Sequence, residues 1–408
     1  MRWTSLVDTL SAVGPPFLLS RAFIVALALL LSDLLSQGVL PLSPAVHPGV
    51  LSPLSNAWDA GWYISIARDG YDSALEDGRQ HNYAFFPLLP MLMRLVVGSN
   101  RPLSDYGLAG VVINHGLFLA ALVVLYQLTL AVFRDPAMGR RVVWIVAVSP
   151  WAFVFSMAYT EALFLFLSAT ALWGAWRLEY HPARWQTTWL AAAVTLGCVQ
   201  GAALTRPPGV LLAVAVAWIF FMRARGYTPR QRAVLVAAPF LSAALAFAAF
   251  VSYISFHTRS PGAVLQAARG WGGGFWPDLQ ARLASGDLLT WVYAAVQFIF
   301  LVGWVSLTVA VWRLRGGYPE MLRATQWPPV RAVPGVGAFR LYGAMLLGIL
   351  TQVPAALSLA RYALMSFPCA WVLATVPWHP RTRICLLAGS LMLQGIFFWL
   401  SSTIAWPP

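Results

Sequence analysis

The amino-acid sequence predicts an all-α integral membrane protein that crosses the bilayer many times. Of its 408 residues, 59% are hydrophobic and 10% are charged, whereas soluble domains are about 25% charged. The mean hydropathy is +0.69, and apolar runs of roughly 20 residues recur along most of the chain, which is the length that a helix needs to cross the hydrocarbon layer. Helices are expected because backbone groups in lipid must be satisfied within their own segment.

The apolar runs predict eleven spans in a single transmembrane domain, residues 1–408, and ten is the alternative because the last run is the weakest. No cleaved signal peptide is expected, since residues 1–20 lack a compact charged start and a small-residue cleavage site. The spans are predicted at residues 22–41, 107–133, 142–158, 162–178, 188–205, 208–222, 233–254, 288–312, 341–358, 362–377 and 384–404.

Arginine placement predicts the orientation of these spans. All 27 basic residues are Arg, which a GC-rich genome explains and which hints at a bacterial plasma membrane. If the N-terminus is cytoplasmic, the inner tail and loops hold 18 Arg, with Arg2 and Arg21 in the tail, and the outer side holds 9. This bias follows the positive-inside rule, so the net charge of +13 reflects topology and no nucleic-acid partner is expected.

Two outer segments are long, residues 42–106 and residues 255–287. The first contains two stretches, 57–68 and 84–97, whose apolar residues recur at helical spacing and predict amphipathic helices along the membrane surface. The second contains a glycine run at 270–274, which fits a mobile flap or a plain connector equally well. The predicted apolar faces in the first segment are Trp58, Trp62, Tyr63 and Ile66, then Phe85, Phe86, Leu88, Leu89, Leu92 and Leu95.

Asp59, which follows Trp58 shortly after the first span, is the first candidate catalytic residue. A carboxylate that lipid and aromatic rings partly shield from water is a stronger general base. An Asp placed before an amphipathic run is also a good helix N-cap. Position alone favours the N-cap and leaves the catalytic interpretation open.

Other polar residues are predicted on the same outer face. His81 and Asn82 precede an aromatic stretch and suit sugar recognition, with a solvated loop as the alternative. Glu161 follows Tyr159 at a very short connection between spans, and an ionisable residue at the membrane edge indicates function. Two lone arginines stand at the neighbouring outer turns, and Arg binds phosphate through two parallel hydrogen bonds, although it also extends to lipid headgroups. They are Arg206 and Arg361, the latter beside Tyr362.

Six short stretches carry a resemblance to a known family. They are Trp58-Asp59-Ala60 with Gly70-Tyr71; His81-Asn82-Tyr83-Ala84-Phe85-Phe86-Pro87; Ala158-Tyr159-Thr160-Glu161-Ala162; and, more loosely, Thr205-Arg206-Pro207-Pro208-Gly209 with Arg361-Tyr362. They resemble the family that adds the second mannose of the GPI anchor and its bacterial relatives, the PIG-V-like mannosyltransferases. Pro207 and Pro208 replace the Ser-Asn of the family pattern.

The resemblance implies a GT-C membrane glycosyltransferase whose donor is a polyprenyl-phosphate sugar, usually mannose. It implies that Asp59 is the base in the first outer loop and that transfer inverts the anomeric centre. Arg206 and Arg361 are expected to stabilise charge on the leaving phosphate, and Glu161 is expected to orient Asp59, an Arg or a sugar hydroxyl. The acceptor stays open among a lipid-linked mannoside, a lipoglycan and a protein hydroxyl, and a sugar other than mannose is also compatible.

Two other function classes and a metal site compete with this interpretation. A transporter or flippase is the alternative, although the sequence shows no inverted repeat, and a scaffold subunit would not need charges gathered on one face. No cofactor is expected, and the three cysteines lack metal-ligand spacing. A divalent-metal site built from oxygen ligands is less favoured than a solvated hinge for the cluster Asp69, Asp72, Glu76 and Asp77.

Overall fold

The structure is a computed structural model that describes residues 6–40, 49–73, 80–177, 185–223, 227–269, 280, 284, 288–313, 337–349 and 359–403. Throughout this part of the chain the regular structure is helical, with no β-strand. The helices are α1 (Leu6–Ser36), α2 (Ser52–Ser55), α3 (Ala60–Asp69), α4 (Leu88–Val97), α5 (Leu103–Phe133), α6 (Pro136–Val148), α7 (Glu161–Arg177), α8 (Trp185–Ala203), α9 (Pro208–Arg223), α10 (Pro229–Thr258), α11 (Ala263–Arg269), α12 (Leu288–Arg313), α13 (Gly337–Ile349), α14 (Leu359–Met365), α15 (Pro368–Thr375) and α16 (Pro380–Thr403).

Among the described residues, five helices are long and apolar enough to cross a membrane, namely α1, α5, α10, the Ala294–Trp312 part of α12, and α16. Helical residues also occupy each of the other predicted spans. The prediction of an all-α, multi-pass membrane protein is therefore confirmed. The central packing runs from α6 through α5 and α7 to α8, because α5 lies against α6 and α7, and α7 lies against α8.

The first helix begins at Leu6 instead of the predicted residue 22, so Arg21 lies within the span and not in an inner tail. The sequence pattern placed the start too late because Pro15, Pro16 and Arg21 interrupt the apolar run. The structure accommodates all three inside α1, with Pro16 and Arg21 buried. Arg21 is therefore removed from the inner-side arginine count.

Two predicted spans are broken by proline. The span 142–158 is wrong as one helix, because α6 ends at Val148 and a 3-10 turn, Ala152–Ser156, follows. Ser149 adopts φ −52° and ψ 143°, the extended geometry that a residue preceding proline favours. The span 362–377 is likewise two short helices, because Pro368 begins α15 at a position where proline is tolerated.

The predicted amphipathic stretches form α3 and α4. Tyr63 and Ile66 of α3 are buried as expected. In α4 the residues Leu89, Pro90 and Met93 are buried. Leu95 is 81% exposed, and its place on a lipid-facing apolar side stays a prediction. The helix begins at Leu88, after the extended backbone at Phe85. The glycine run at 270–274 lies outside the described residues.

Candidate active site

Asp59 lies directly before α3, and its side chain turns away from the helix. Its backbone occupies the N-cap position, but its carboxylate caps no backbone N–H in the described part of the chain. Instead, Oδ2 accepts a hydrogen bond of 2.8 Å from Nη1 of Arg361 in α14. The carboxylate is 29% exposed, whereas the Arg361 side chain is 9% exposed. The N-cap interpretation is therefore wrong for this side chain, which forms an ion pair between a partly exposed carboxylate and a buried guanidinium.

Glu161 extends the pair into a row of four charges. It is the first residue of α7, where the positive end of the helix dipole favours a carboxylate. Its Oε1 lies 2.5 Å from Nη1 of Arg206 and 3.7 Å from Nη1 of Arg361. The order is Asp59, Arg361, Glu161, Arg206, so two carboxylates alternate with two guanidinium groups. The formal charge is zero, which is how buried charges are made tolerable.

The row is assembled from segments far apart in sequence, and the turn between α8 and α9 supplies its last member. Arg206 lies in this turn, where its backbone N–H bonds to the carbonyl of Ala202 at 3.2 Å. The turn is so tight that a Cβ on Gly209 would lie 1.9 Å from the Ala202 carbonyl oxygen. Glycine is required there because no side chain fits, and this close approach holds Arg206 beside α7.

Aromatic rings cover both guanidinium groups. The Arg361 guanidinium lies 5.1 Å from the ring centroid of Tyr159, and that of Arg206 lies 4.7 Å from the ring centroid of Tyr362. Such cation–π contacts stabilise partly desolvated cations. The Tyr159 hydroxyl also accepts a 3.2 Å hydrogen bond from the Asp59 backbone N–H, so the same side chain contacts both members of the ion pair.

Trp58 anchors the acid from the other side. It has φ 53°, a left-handed conformation that is a genuine outlier for a bulky residue. Its indole N–H donates a 2.9 Å hydrogen bond to the carbonyl of Ser401 in the last turn of α16. The strained backbone at Trp58 therefore sets the direction from which Asp59 enters α3.

Asn114 is a site-supporting residue that the sequence analysis missed. It lies in α5, is fully buried, and donates from Nδ2 to the carbonyl oxygens of Met157 and Tyr159, the latter at 2.6 Å. Those bonds hold the non-helical segment that leads into Glu161. The available signal was a lone amide within an apolar run, since polar side chains in membrane helices are rare and usually serve a site.

His81 and Asn82 connect the end of α3 to the segment that precedes α4. Asn82 accepts a hydrogen bond at Oδ1 from the Asp72 backbone N–H at 3.1 Å and donates from Nδ2 to the Gly70 carbonyl at 3.3 Å. His81 Nδ1 lies 3.5 Å from Oδ2 of Asp72, and its ring stacks on Tyr83. These contacts join the end of α3 to the start of the next segment, and a contact with sugar stays a prediction for both residues.

Of the four acidic residues considered as a less favoured metal site, the structure describes Asp69 and Asp72. Asp69 forms two 2.8 Å hydrogen bonds with Arg68, which lower the pKa of its carboxyl below the ordinary value. Asp72 faces His81 and Asn82 instead, and residues 76 and 77 lie outside the described residues. Within the described chain no three His, Cys, Asp or Glu side chains converge as metal ligands would.

Comparison with solved structures defines the class of this fold. The apo crystal structure of ArnT from Cupriavidus metallidurans is similar with a TM-score of 0.50 and 12% identity, covering 91% of this chain and 62% of that one. The apo Archaeoglobus fulgidus oligosaccharyltransferase is similar with a TM-score of 0.51 and 13% identity, covering 94% of this chain and 56% of that one. The protein therefore has the GT-C fold of membrane glycosyltransferases.

The family follows from sequence. A sequence model described as mannosyltransferase (PIG-V) matches residues 18–300, so the chain belongs to this family, and the resemblance is confirmed. GPI mannosyltransferase 2 of Drosophila pseudoobscura pseudoobscura is 31% identical over 158 residues, 36% of this chain and 33% of the relative. The human GPI alpha-1,6-mannosyltransferase 2 is 30% identical over 131 residues, 30% of this chain and 25% of the relative. These matches span a third or less of the relatives' length.

Proposed function

We propose that this protein transfers mannose from a polyprenyl-phosphate donor to a hydroxyl of a lipid-linked or glycan acceptor, with inversion, at the extracytoplasmic face of a plasma membrane. The observation that carries the proposal is the partly exposed Asp59 carboxylate held by the buried Arg361. A candidate base and a candidate phosphate-binding cation therefore lie within hydrogen-bond distance of each other. The name of the human relative, GPI alpha-1,6-mannosyltransferase 2, supports mannose as the sugar and an α linkage in the product.

The proposed reaction exchanges one bond at the anomeric carbon. The acceptor oxygen attacks this carbon from the face opposite the phosphate, the carbon–oxygen bond to the phosphate breaks, and Asp59 takes the hydroxyl proton. The donor's β-linked phosphodiester becomes a polyprenyl phosphate monoester, a stable anion that needs no strong general acid to leave. General-base assistance is typically worth about 10²–10⁴ in rate, and this is the contribution assigned to Asp59.

In the proposed reaction, Arg361 interacts first with the Asp59 carboxylate and then with the donor phosphate. Its Nη1 donates a 2.8 Å hydrogen bond to Oδ2 of Asp59. A donor phosphate that binds Arg361 competes with Asp59 for the same guanidinium and releases the carboxylate for proton transfer. During transfer Asp59 loses one negative charge and the phosphate gains one, so the total charge of the site is unchanged while the charge moves towards the arginines.

Glu161 and Arg206 complete the phosphate site in this proposal. Arg206 is the second cation, and Glu161 holds it through an ion pair. Because the two guanidinium groups share one buried carboxylate, their positions are fixed before the donor binds, and little reorganisation is needed as charge develops. In this mechanism two arginines stabilise the leaving phosphate, so no divalent metal is required. We therefore expect the transfer rate to be unchanged in excess chelator.

The test is transfer from radiolabelled polyprenyl-phosphate mannose by the purified full-length protein in proteoliposomes that contain candidate glycolipid acceptors. Asp59→Asn keeps the shape of the side chain but cannot accept the proton, so we expect product formation to fall about 10²-fold or more. Asp69→Asn is the matched control, because that carboxylate lies on the same helix and bonds to Arg68.

The same assay separates an enzyme from a flippase. Labelled product in the wild type and its loss in Asp59→Asn support glycosyl transfer. Label that crosses the vesicle without product identifies transport, and full activity of the Asn variant removes Asp59 from the role of base.

A further inference from the structure

Arg21 occupies the break that proline makes after α6. It projects from α1, and its relative exposure is 3%. Its Nη1 donates to the carbonyl of Ala152 at 2.9 Å and to Oγ of Ser156 at 2.7 Å, and its Nη2 donates to the carbonyl of Ala147 at 3.3 Å. One guanidinium therefore joins the last turn of α6 to the 3-10 turn that follows it.

The break between α6 and the 3-10 turn leaves backbone carbonyl groups that need a hydrogen-bond donor. The 13 residues of α6 are about 20 Å long, less than the hydrocarbon thickness of about 30 Å. The chain thus leaves α-helical geometry at membrane depth, where carbonyl groups at a helix end have no water to bond. The planar guanidinium offers five donors in a fixed arrangement, which satisfies several of these carbonyls from one side.

Hydrogen bonds to backbone carbonyls do not neutralise the charge of a buried arginine. No carboxylate of the described residues lies within ion-pair distance of Arg21, and its remaining contacts are with Ser20 and the ring of Phe118, 4.8 Å from the guanidinium carbon. An unpaired buried charge is expensive, and an ionisable side chain within a membrane span indicates a functional role. The 3-10 turn to which Arg21 donates its hydrogen bonds leads directly into the candidate active site.

The segment between the Arg21 contacts and Glu161 is short, and side-chain hydrogen bonds hold both of its ends. Ser156, at the end of the 3-10 turn, is five residues before Glu161. Between them, Asn114 holds the carbonyl of Tyr159, and the Tyr159 hydroxyl bonds to the Asp59 backbone. Arg21 fixes where this segment begins, and Asn114 fixes where it enters α7.

We propose that Arg21 is a positioning residue for the transfer reaction and that it acts through the segment 152–161 to set the place of Glu161. The inference rests on the proposed function for its effect on rate, but not for its effect on the segment. Arg21→Lys keeps the charge and loses the planar set of donors, so Ala147 and Ala152 cannot both be reached. The segment then shifts, and misplacement of about 1 Å can cost up to 10²-fold in rate.

Hydrogen–deuterium exchange of the full-length protein in nanodiscs tests the structural step without any substrate. Arg21→Lys should speed exchange in peptides that cover residues 149–163 and leave peptides of α10 unchanged. Arg141→Lys is the matched control, since that guanidinium also donates to a backbone carbonyl, that of Ala374, but away from the site. Unchanged exchange at 149–163 would overturn the proposal whether or not the wild type transfers sugar.

A double-mutant cycle tests the catalytic step. If Arg21 acts through Glu161, Arg21→Lys lowers kcat about 10- to 100-fold in the wild type but less than about twofold in a Glu161→Gln background. Equal losses in both backgrounds indicate general destabilisation and contradict the inference. If Arg21→Lys does not accumulate, Ser156→Ala removes one bond to the same guanidinium and should give smaller losses with the same dependence on Glu161. An inactive wild type would instead count against the proposed function, with the exchange result still deciding the role of Arg21.

Discussion

At the scale of single residues, the site depends on charges that are buried in compensating numbers. Glu161 is 1% exposed and Arg206 is 9% exposed, so neither is solvated when its partner is removed. Removing one partner of a buried ion pair typically costs about 3–5 kcal/mol, whereas replacing both is often neutral. The pair is therefore expected to show strong energetic coupling.

This coupling gives a stability prediction. Arg206→Gln should lower the thermal unfolding midpoint in detergent markedly, because Glu161 keeps only the more distant contact with Arg361, at 3.7 Å. The double variant Glu161→Gln/Arg206→Gln should be more stable than Arg206→Gln alone, since the uncompensated carboxylate is gone. Arg68→Gln is the control, because that guanidinium is 38% exposed and pairs with an exposed acid. A double variant less stable than the single one would show that the pair is not coupled as described.

The sequence predicts the charged residues of the site but not the side chains that support them. Asp59, Glu161, Arg206 and Arg361 stand out in the sequence because each is a charge beside an apolar span, and the structure brings all four together. Their pairing could not be derived from sequence, since Asp59 and Arg361 are 302 positions apart. The structural roles of Asn114 and Arg21 could not be predicted, because each depends on the backbone carbonyls that the side chain binds.

At the scale of elements, prolines and one glycine decide where the helices stop and thereby where the site residues begin. The α8–α9 turn closes through contact of Gly209 with the backbone of Ala202. We predict that Gly209→Ala prevents this closure, because the added carbon would overlap backbone atoms that cannot move independently.

The expected result is a sharp loss of folded protein, measured as the monodisperse fraction in size-exclusion chromatography. Residual folded material should have weakened donor binding, since Arg206 is displaced with the turn. Gly197→Ala in α8 is the matched control, because a Cβ there meets nothing within 4 Å and alanine favours a helix over glycine by about 1 kcal/mol. Normal yield of Gly209→Ala would contradict the argument.

The helix boundaries show why hydropathy alone locates spans better than it locates breaks. Apolar runs continue across Ser149-Pro150 and across Phe367-Pro368, so the averaged pattern reads each as one span. Before Pro150 the backbone is extended, the geometry that proline favours in the residue preceding it. Pro368 instead lacks the N–H that a continuous helix would need and begins a new helix, α15. Of the short helices that result, α6 leads to Tyr159 and Glu161, and α14 carries Arg361.

At the scale of the whole molecule, the GT-C fold gathers its polar residues at one end of a largely apolar bundle. The residues directly before α3, the start of α7, the α8–α9 turn and α14 all contribute to that end. Arginine counts predict that this end faces away from the cytoplasm. Transfer of Arg21 from the inner tail to the interior of α1 reduces the inner excess by one and leaves its sign unchanged.

Cysteine labelling tests this orientation directly. In a background with Cys198, Cys369 and Cys385 replaced by Ala, two single cysteines report on opposite ends: Ser99→Cys, between α4 and α5, and His379→Cys, before α16. Both wild-type residues are exposed. A membrane-impermeant maleimide should label Ser99→Cys in intact cells and His379→Cys only after permeabilisation, because the positive-inside rule places the arginine-rich loops in the cytoplasm. Retained transfer activity of each variant is the control for folding, and the reverse labelling pattern would place Asp59 and its arginines on the cytoplasmic side.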